Sequence, residues 1–212
     1  MSAKKVMVVG LGQFGGAAFQ ELSALGFDVL GIDLSPDRVQ ELSSAEVSVV
    51  QGDATSQAFW DDLRIEDFDA AVVAFSRDMG ANVLASLMLK KIGLPHLVVK
   101  SNGPLHSEIL YSIGADVVVA PDWEYGARLA HIMGSKVGDY MPVAKEFGLA
   151  KTVIGQTARQ RLCAEIEKAA DVTVLLILRE GKVIVAPYGN EAVKPGDTVV
   201  IAGTDQKLRA FA

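Results

Sequence analysis

The 212 residues suffice for one large domain or for a medium domain and a small one. Half of them are hydrophobic, yet no run approaches the roughly 18 apolar residues of a membrane span, and the strongest, Val172 to Leu178, has strand length. Twenty basic against 26 acidic side chains give a net charge of −6 with no Lys/Arg cluster, which argues against a nucleic-acid partner. The single Cys163 excludes an internal disulfide framework and fits a reducing cytoplasm. Met1 to Lys5 runs straight into an apolar segment, with no room for a signal peptide.

In chain order the pattern predicts strands at Val6 to Val9, Val29 to Ile32, Val47 to Gln51, Ala70 to Phe75, Leu97 to Lys100 and Val117 to Ala120. Helical stretches fall between them, at Gln13 to Leu25, Pro36 to Ser43, Ser56 to Leu63, Asp78 to Ile92 and Leu105 to Ile113. Short apolar strands alternating with crossover helices predict an α/β fold, a doubly wound parallel sheet of Rossmann type. Ser35 before Pro36 has the pattern of an N-cap with proline at the first helical position. Gly26, Gly93 and Gly114 stand where left-handed C-terminal caps are needed.

After Pro121 the rhythm changes. Asp122 to Val137 predicts one amphipathic helix, with Tyr125, Leu129, Ile132 and Met133 near one face. A boundary is expected near residue 138, followed by a small α+β domain that is marginal alone. That domain should contain a strand at Ala150 to Ile154, a helix at Arg159 to Ala169 and a hairpin of Val172 to Leu178 and Val183 to Val185 turning at Glu180-Gly181. A strand at Thr198 to Ala202 and a helix at Asp205 to Phe211 complete it.

Gly10-Leu11-Gly12-Gln13-Phe14-Gly15 follows the first strand and opens the first helix, the context a dinucleotide fingerprint requires. Gly10 would permit the tight turn, Gly12 the backbone approach to a pyrophosphate, and Gly15 close helix–sheet packing, with the helix amino terminus facing the phosphates. Asp33 ends the second strand about 20 residues on, where an acid accepts hydrogen bonds from ribose hydroxyls and repels a 2′-phosphate. Gly52-Asp53-Ala54-Thr55 ends the third strand, so Asp53 and Thr55 border an adenine, or Thr55 and Ser56 cap the next helix, or both. Lys100, at the end of the fifth strand, either meets phosphates or is solvated.

Catalytic signatures are missing around this crevice. None of Tyr111, Tyr125, Tyr140 and Tyr188 has a lysine four residues later, and His96, His106 and His131 show no metal-ligand spacing with each other or with Cys163. No Walker-type Gly-Lys-Ser/Thr sequence occurs. A nucleotide crevice, a connecting helix and a small accessory domain suit a ligand-gated module. The alternative is an NAD-dependent oxidoreductase; a redox-sensing transcription factor is opposed by the acidic charge.

The glycine loop with Gly16, Gly31-Ile32-Asp33, Gly52-Asp53-Ala54-Thr55, Val98-Val99-Lys100 and Ile113-Gly114-Ala115-Asp116 with Pro121 together resemble the regulator of K⁺ conductance (RCK) family. The order and spacing are similar to the KtrA/TrkA-type cytosolic subunits of bacterial potassium-uptake systems, with one copy of each domain as in the former. The weaker second half rests on the hairpin and Lys194-Pro195-Gly196-Asp197. The resemblance implies a homodimer, assembled into an octameric ring on the inner face of the membrane beneath a K⁺ transporter subunit of KtrB/TrkH type. It implies competition of ATP and ADP at the crevice, with Gly10, Gly12, Gln13, Phe14 and Gly15 at the phosphates, Asp33 at the ribose, Asp53, Ala54 and Thr55 alongside, and Lys100 near the phosphates. Asp122 falls where the family carries an acid that can serve a divalent cation between subunits; an N-cap after Pro121 is the other reading. Gln13 departs from the arginine common at that position in KtrA proteins, which leaves NAD(H) open as the ligand. A second messenger such as cyclic di-AMP in the small domain also stays open.

Overall fold

The computed structural model describes residues 4–43, 47–75, 77–134 and 137–211, and the chain divides into two compact units, Met1–Trp123 and Glu124–Ala212. In the first unit β1 (Lys5–Val9), β2 (Asp28–Asp33), β3 (Ser48–Gln51), β4 (Ala70–Val73), β5 (His96–Lys100) and β6 (Val117–Val119) form one parallel sheet. The helices between them are α1 (Gln13–Ala24), α2 (Pro36–Leu42), α3 (Gln57–Asp61), α4 (Met79–Ile92) and α5 (Pro104–Ser112). The strand order β3-β2-β1-β4-β5-β6 is that of a doubly wound sheet, reversing direction between β1 and β4.

Both faces of this sheet are covered, which is why its strands are apolar almost throughout. Alternate residues of β1 serve opposite faces: Met7 and Val9 join a core with Trp60, Leu89, Leu97 and Leu110, while Val8 packs with Leu11, Phe19 and Val29. Gly93 caps α4 in the left-handed region at φ +95°, its N–H reaching Leu89 and Lys90 carbonyls. Ser35 is the N-cap of α2 with Pro36 behind it, but its side chain makes no cap bond. Two elements of this unit fall short of their predicted extent by two residues or more. Strand β4 stops at Val73, although the Ala74 N–H still reaches the Val9 carbonyl at 2.7 Å, and the helix after Thr55 ends at Asp61, followed by a separate 3₁₀ turn at Ile65–Asp67.

Helix α6 (Pro121–Met133) crosses the division, and its later turns pack within the second unit. Arg128 grips Asp139 with two hydrogen bonds of 2.7 and 2.6 Å, and the His131 ring stacks on Tyr140 with centroids 4.0 Å apart. The two units therefore divide inside α6, before the position near 138 expected from composition. The helix ends at Met133; residues 135 and 136 of its predicted extent lie outside the described residues, and Val137 is a buried, non-helical part of the second core.

That second unit is built on an antiparallel sheet in the order β11-β10-β13-β8-β7, from β7 (Asp139–Ala144), β8 (Phe147–Val153), β10 (Thr173–Arg179), β11 (Lys182–Val185) and β13 (Thr198–Thr204). The hairpin turns where expected: Glu180 and Gly181 both take positive φ, +49° and +77°, between the paired Arg179 and Lys182. A short ribbon of β9 (Arg161–Leu162) and β12 (Ala192–Val193) delays α7 to Cys163–Ala170, so the helix predicted from Arg159 begins four residues late. Helix α8 (Asp205–Ala210) closes the chain. Asp197 lies buried beneath this unit's surface, accepting from Arg179 Nε at 2.9 Å and Nη2 at 2.8 Å and from the Lys194 N–H at 2.8 Å. No described helix is long and apolar enough to cross a membrane.

Two stability predictions follow from these cores. Trp60 is 1% exposed and its indole N–H donates to the Ala54 carbonyl at 2.9 Å, so Trp60→Ala should cost about 3–5 kcal/mol in a denaturant titration. The Arg179 guanidinium holds the Asp197 carboxyl below the ordinary carboxylate range. Its folded pKa is depressed, so the pair stabilises the fold fully at neutral pH and loses that contribution as pH falls below about 4. Asp197→Asn should flatten the acid limb of a plot of thermal midpoint against pH; an unchanged slope would assign the acid sensitivity elsewhere.

Candidate functional site

The site is assembled from strand ends. At the end of β1 the chain turns through Gly10 at φ +92°, where a Cβ would lie 2.9 Å from the Phe75 backbone nitrogen; no other residue fits. A Cβ on Gly15 would overlap the Gly10 carbonyl, so that glycine is what lets α1 press against the turn and against Ala74. Gly12 differs: nothing lies within 4 Å of where its Cβ would be. It is the open side of the loop, and the N-cap position of α1. No side chain caps α1 and no acid stands in its first turn, so the positive end of the helix faces the cavity beside Gln13 and Phe14.

Asp33 does more than end β2. Its Oδ2 accepts from the Leu11 N–H at 2.6 Å and its Oδ1 from the Ser35 N–H at 2.8 Å. The carboxylate thus braces the glycine loop, while its remaining lone pairs keep acceptor capacity for hydroxyl donors. At the end of β3, Asp53 Oδ1 accepts from both the Thr55 N–H (2.9 Å) and the Thr55 hydroxyl (2.7 Å), which hold its carboxyl below the ordinary range. This closed turn answers one sequence alternative: the Thr55 hydroxyl is spent on Asp53, and Ser56, the residue at the cap position of α3, makes no side-chain cap bond. Ala54 is buried and anchored through its carbonyl to Trp60.

Across the switch point, Lys100 ends β5 almost fully buried. Its Nζ lies 3.0 Å from Asp122 and 5.6 Å from the centroid of the Phe14 ring. Asn82, buried on α4, donates to the Phe75 carbonyl at 2.7 Å and the Lys100 carbonyl at 3.2 Å, clamping the ends of β4 and β5 together.

The result is a cavity of about 790 Å³, within the range of small-molecule sites. Gly10, Gly12, Gln13, Phe14, Asp33, Asp53, Ala54, Thr55 and Lys100 all line it. Gly15 does not; it is buried behind the loop that it allows to form. Arg38 on α2 and Arg77 beyond β4 line the cavity as well. Sequence motifs did not single them out, although the rule that ligands meet the carboxyl ends of parallel strands marks the segment after β4.

Asp122 lies inside the first turn of α6, which begins at Pro121, and so is not an N-cap. Its carboxylate is paired with Lys100, and among the described residues no three His, Cys, Asp or Glu side chains gather to hold a metal ion. His106 is buried on α5, where desolvation lowers its pKa, and its Nδ1 accepts from the Asn102 N–H at 3.2 Å. Burial pushes the Cys163 thiol up, away from nucleophilic reactivity.

Comparison with known proteins agrees with this architecture. The TrkA-N domain profile matches residues 6–121. The Ktr system potassium uptake protein C of Bacillus subtilis is 30% identical over 211 residues, covering 98% of this chain and 96% of that protein. The Ktr system potassium uptake protein A of Vibrio alginolyticus is 28% identical over 208 residues, 97% of this chain and 94% of that one. Among solved structures, the GsuK RCK domain superposes with a TM-score of 0.69 at 17% identity over 98% of this chain, which spans 46% of that longer chain. With more than half of its length inside the family match and a relative at 30% identity along nearly all of it, the chain belongs to the TrkA-N family, among the Ktr potassium uptake proteins.

Proposed function

We propose that the protein is a nucleotide-sensing regulatory subunit of a potassium transporter or channel, in which ligand binding shifts the conformation of an assembly of copies. The observation that carries this reading is the cavity at the sheet's switch point: a glycine loop and a bare helix amino terminus beside Asp33. Full-length likeness to Ktr proteins supports the potassium assignment.

The ligand in this reading is an adenine nucleotide, ATP or ADP, with NAD(H) the competitor. Phosphates sit on Gly10, Gly12, Gln13 and Phe14, ribose hydroxyls donate to Asp33, the adenine borders Asp53, Ala54 and Thr55, and Lys100 neutralises phosphate charge. The assembly is a homodimer extended to an octameric ring, held at the inner face of the membrane by a KtrB/TrkH-type partner. A divalent cation at Asp122 would have to draw further ligands from a second copy, and would compete with Lys100 for the carboxylate. The protein acts as a switch in this reading, so no hydride acceptor or donor is turned over.

Co-expression with the membrane partner tests the function. Potassium uptake should depend on this chain and respond to nucleotide; uptake that is indifferent to its presence, or steady NADH consumption with a substrate panel, would sink the proposal.

At the site, Asp33→Ala should weaken ATP and ADP alike by about tenfold or more, since one charge-assisted acceptor is lost. Unchanged calorimetric affinity would remove the ribose from Asp33. Gln13→Arg should raise the ratio of ATP to ADP affinity severalfold by adding a cation at the first position of α1, and an unmoved ratio would put the terminal phosphate elsewhere.

A further inference from the structure

The ends of the strands bring charges of both signs to the cavity. Its residues follow the strand order: Asp53 after β3, Asp33 on β2, the glycine loop after β1, Arg77 after β4 and Lys100 on β5. Adjacent strands lie about 4.8 Å apart. A nucleotide whose ribose meets Asp33 and whose first phosphate meets Gly12 therefore extends its remaining phosphates toward Arg77 and Lys100. Hydroxyl donors meet Asp33 and Asp53 on the side where Arg38 also stands, and anions meet Arg77 and Lys100 on the side that also carries Asp78.

The three cations on this wall are not equivalent. Arg38 is engaged by Glu41 at 2.7 Å. Lys100 is engaged by Asp122 at 3.0 Å, so much of its charge is already compensated. Arg77 is exposed, and among the described residues it has no ion-pair partner. The neighbouring acid, Asp78, also lines the cavity, but it is the N-cap of α4 and its Oδ1 is held by the Ala81 N–H at 2.9 Å. Two positions before Arg77, Phe75 packs against Gly10 and its carbonyl accepts from Asn82. Gln13, opening α1, brings no charge of its own.

We propose that Arg77 is the specificity-determining contact for the terminal phosphate, so that the site reads the number of phosphates on an adenine nucleotide. Arg77 supplies a positive charge that Gln13 lacks, and its planar fork suits phosphate oxygens. The inference rests on the nucleotide reading of the cavity given above and deepens it.

Calorimetric titration of the full chain with AMP, ADP and ATP at one fixed salt concentration tests it, beside Arg77→Gln and Arg77→Lys. The wild-type protein should bind in the order ATP, ADP, AMP from tightest to weakest. Arg77→Gln should lose about tenfold for ATP, less for ADP and nothing for AMP, the signature of one lost charge-assisted contact. Arg77→Lys should keep the order with a smaller gap. An equal loss for all three nucleotides, or none for any, overturns the role of Arg77 while leaving the nucleotide site standing. A wild-type protein that binds none of the three overturns both.

Discussion

Two backbone donors on one carboxylate hold the site in shape. Asp33 accepts from Leu11 in the glycine loop and from Ser35 at the head of α2, so one side chain ties the first strand–helix junction to the second. The Gly10 N–H adds a bond of 2.7 Å to the Ile32 carbonyl, continuing β1–β2 pairing past the last ladder residue. On the other side, Gly10 lies against Phe75, Ala74 bonds back to Val9, and Asn82 spans the ends of β4 and β5. Four strand ends are thereby clamped side by side. These bonds hold the glycine loop as a rim around the helix amino terminus.

Such bracing has a cost in sequence freedom that is visible residue by residue. Glycine at 10 and 15 follows from contacts inside the protein, an overlap with Phe75 in one case and with the Gly10 carbonyl in the other. Gly12 has no internal reason of this kind, since the space beside it is open. An internal constraint makes a motif recognisable as a fold; open space at the same motif marks where something from outside approaches. The same division separates Ala54 and Asp33, which are held by internal bonds, from Gln13 and Arg77 on the exposed surface of the cavity.

The local half of this arrangement was legible in the sequence. Strand-length apolar runs, glycine caps, the fingerprint and the Glu180-Gly181 turn are all encoded within a few neighbouring residues, and each formed within about three residues of its expected place. Long-range pairing was not legible. The edge strand β7 contains Pro142 and a string of exposed residues, so its pattern resembled a loop; pairing with β8 makes it a strand. Arg161 and Leu162 have helical neighbours but are drawn into a ribbon with Ala192 and Val193, some thirty positions away. The Lys100–Asp122 pair and the turn of the Arg77 loop toward the glycine turn depend equally on tertiary packing. A motif scan sees the glycine loop, Asp33, Asp53 and Lys100 because each stands in a local pattern at a strand end, and misses Asn82, Arg38 and Arg77, whose places depend on contacts between elements.

This asymmetry bears on how such a site diversifies. The residues that build the crevice are bound to one another, so replacing any of them disturbs the fold as well as the ligand. Gln13 and Arg77 are exposed at the phosphate end, and neither anchors the braces described above. Exchanging them alters charge in the cavity with little effect on the core, since exposed substitutions away from caps and networks cost about 0.5 kcal/mol or less. A cation opening α1 and an arginine beyond β4, as in this chain, are then two alternative ways of placing one positive charge at this end of the cavity. In the nucleotide reading proposed above, the scaffold fixes where the ligand lies, while Arg77, which the scaffold does not need, reads how many phosphates it carries.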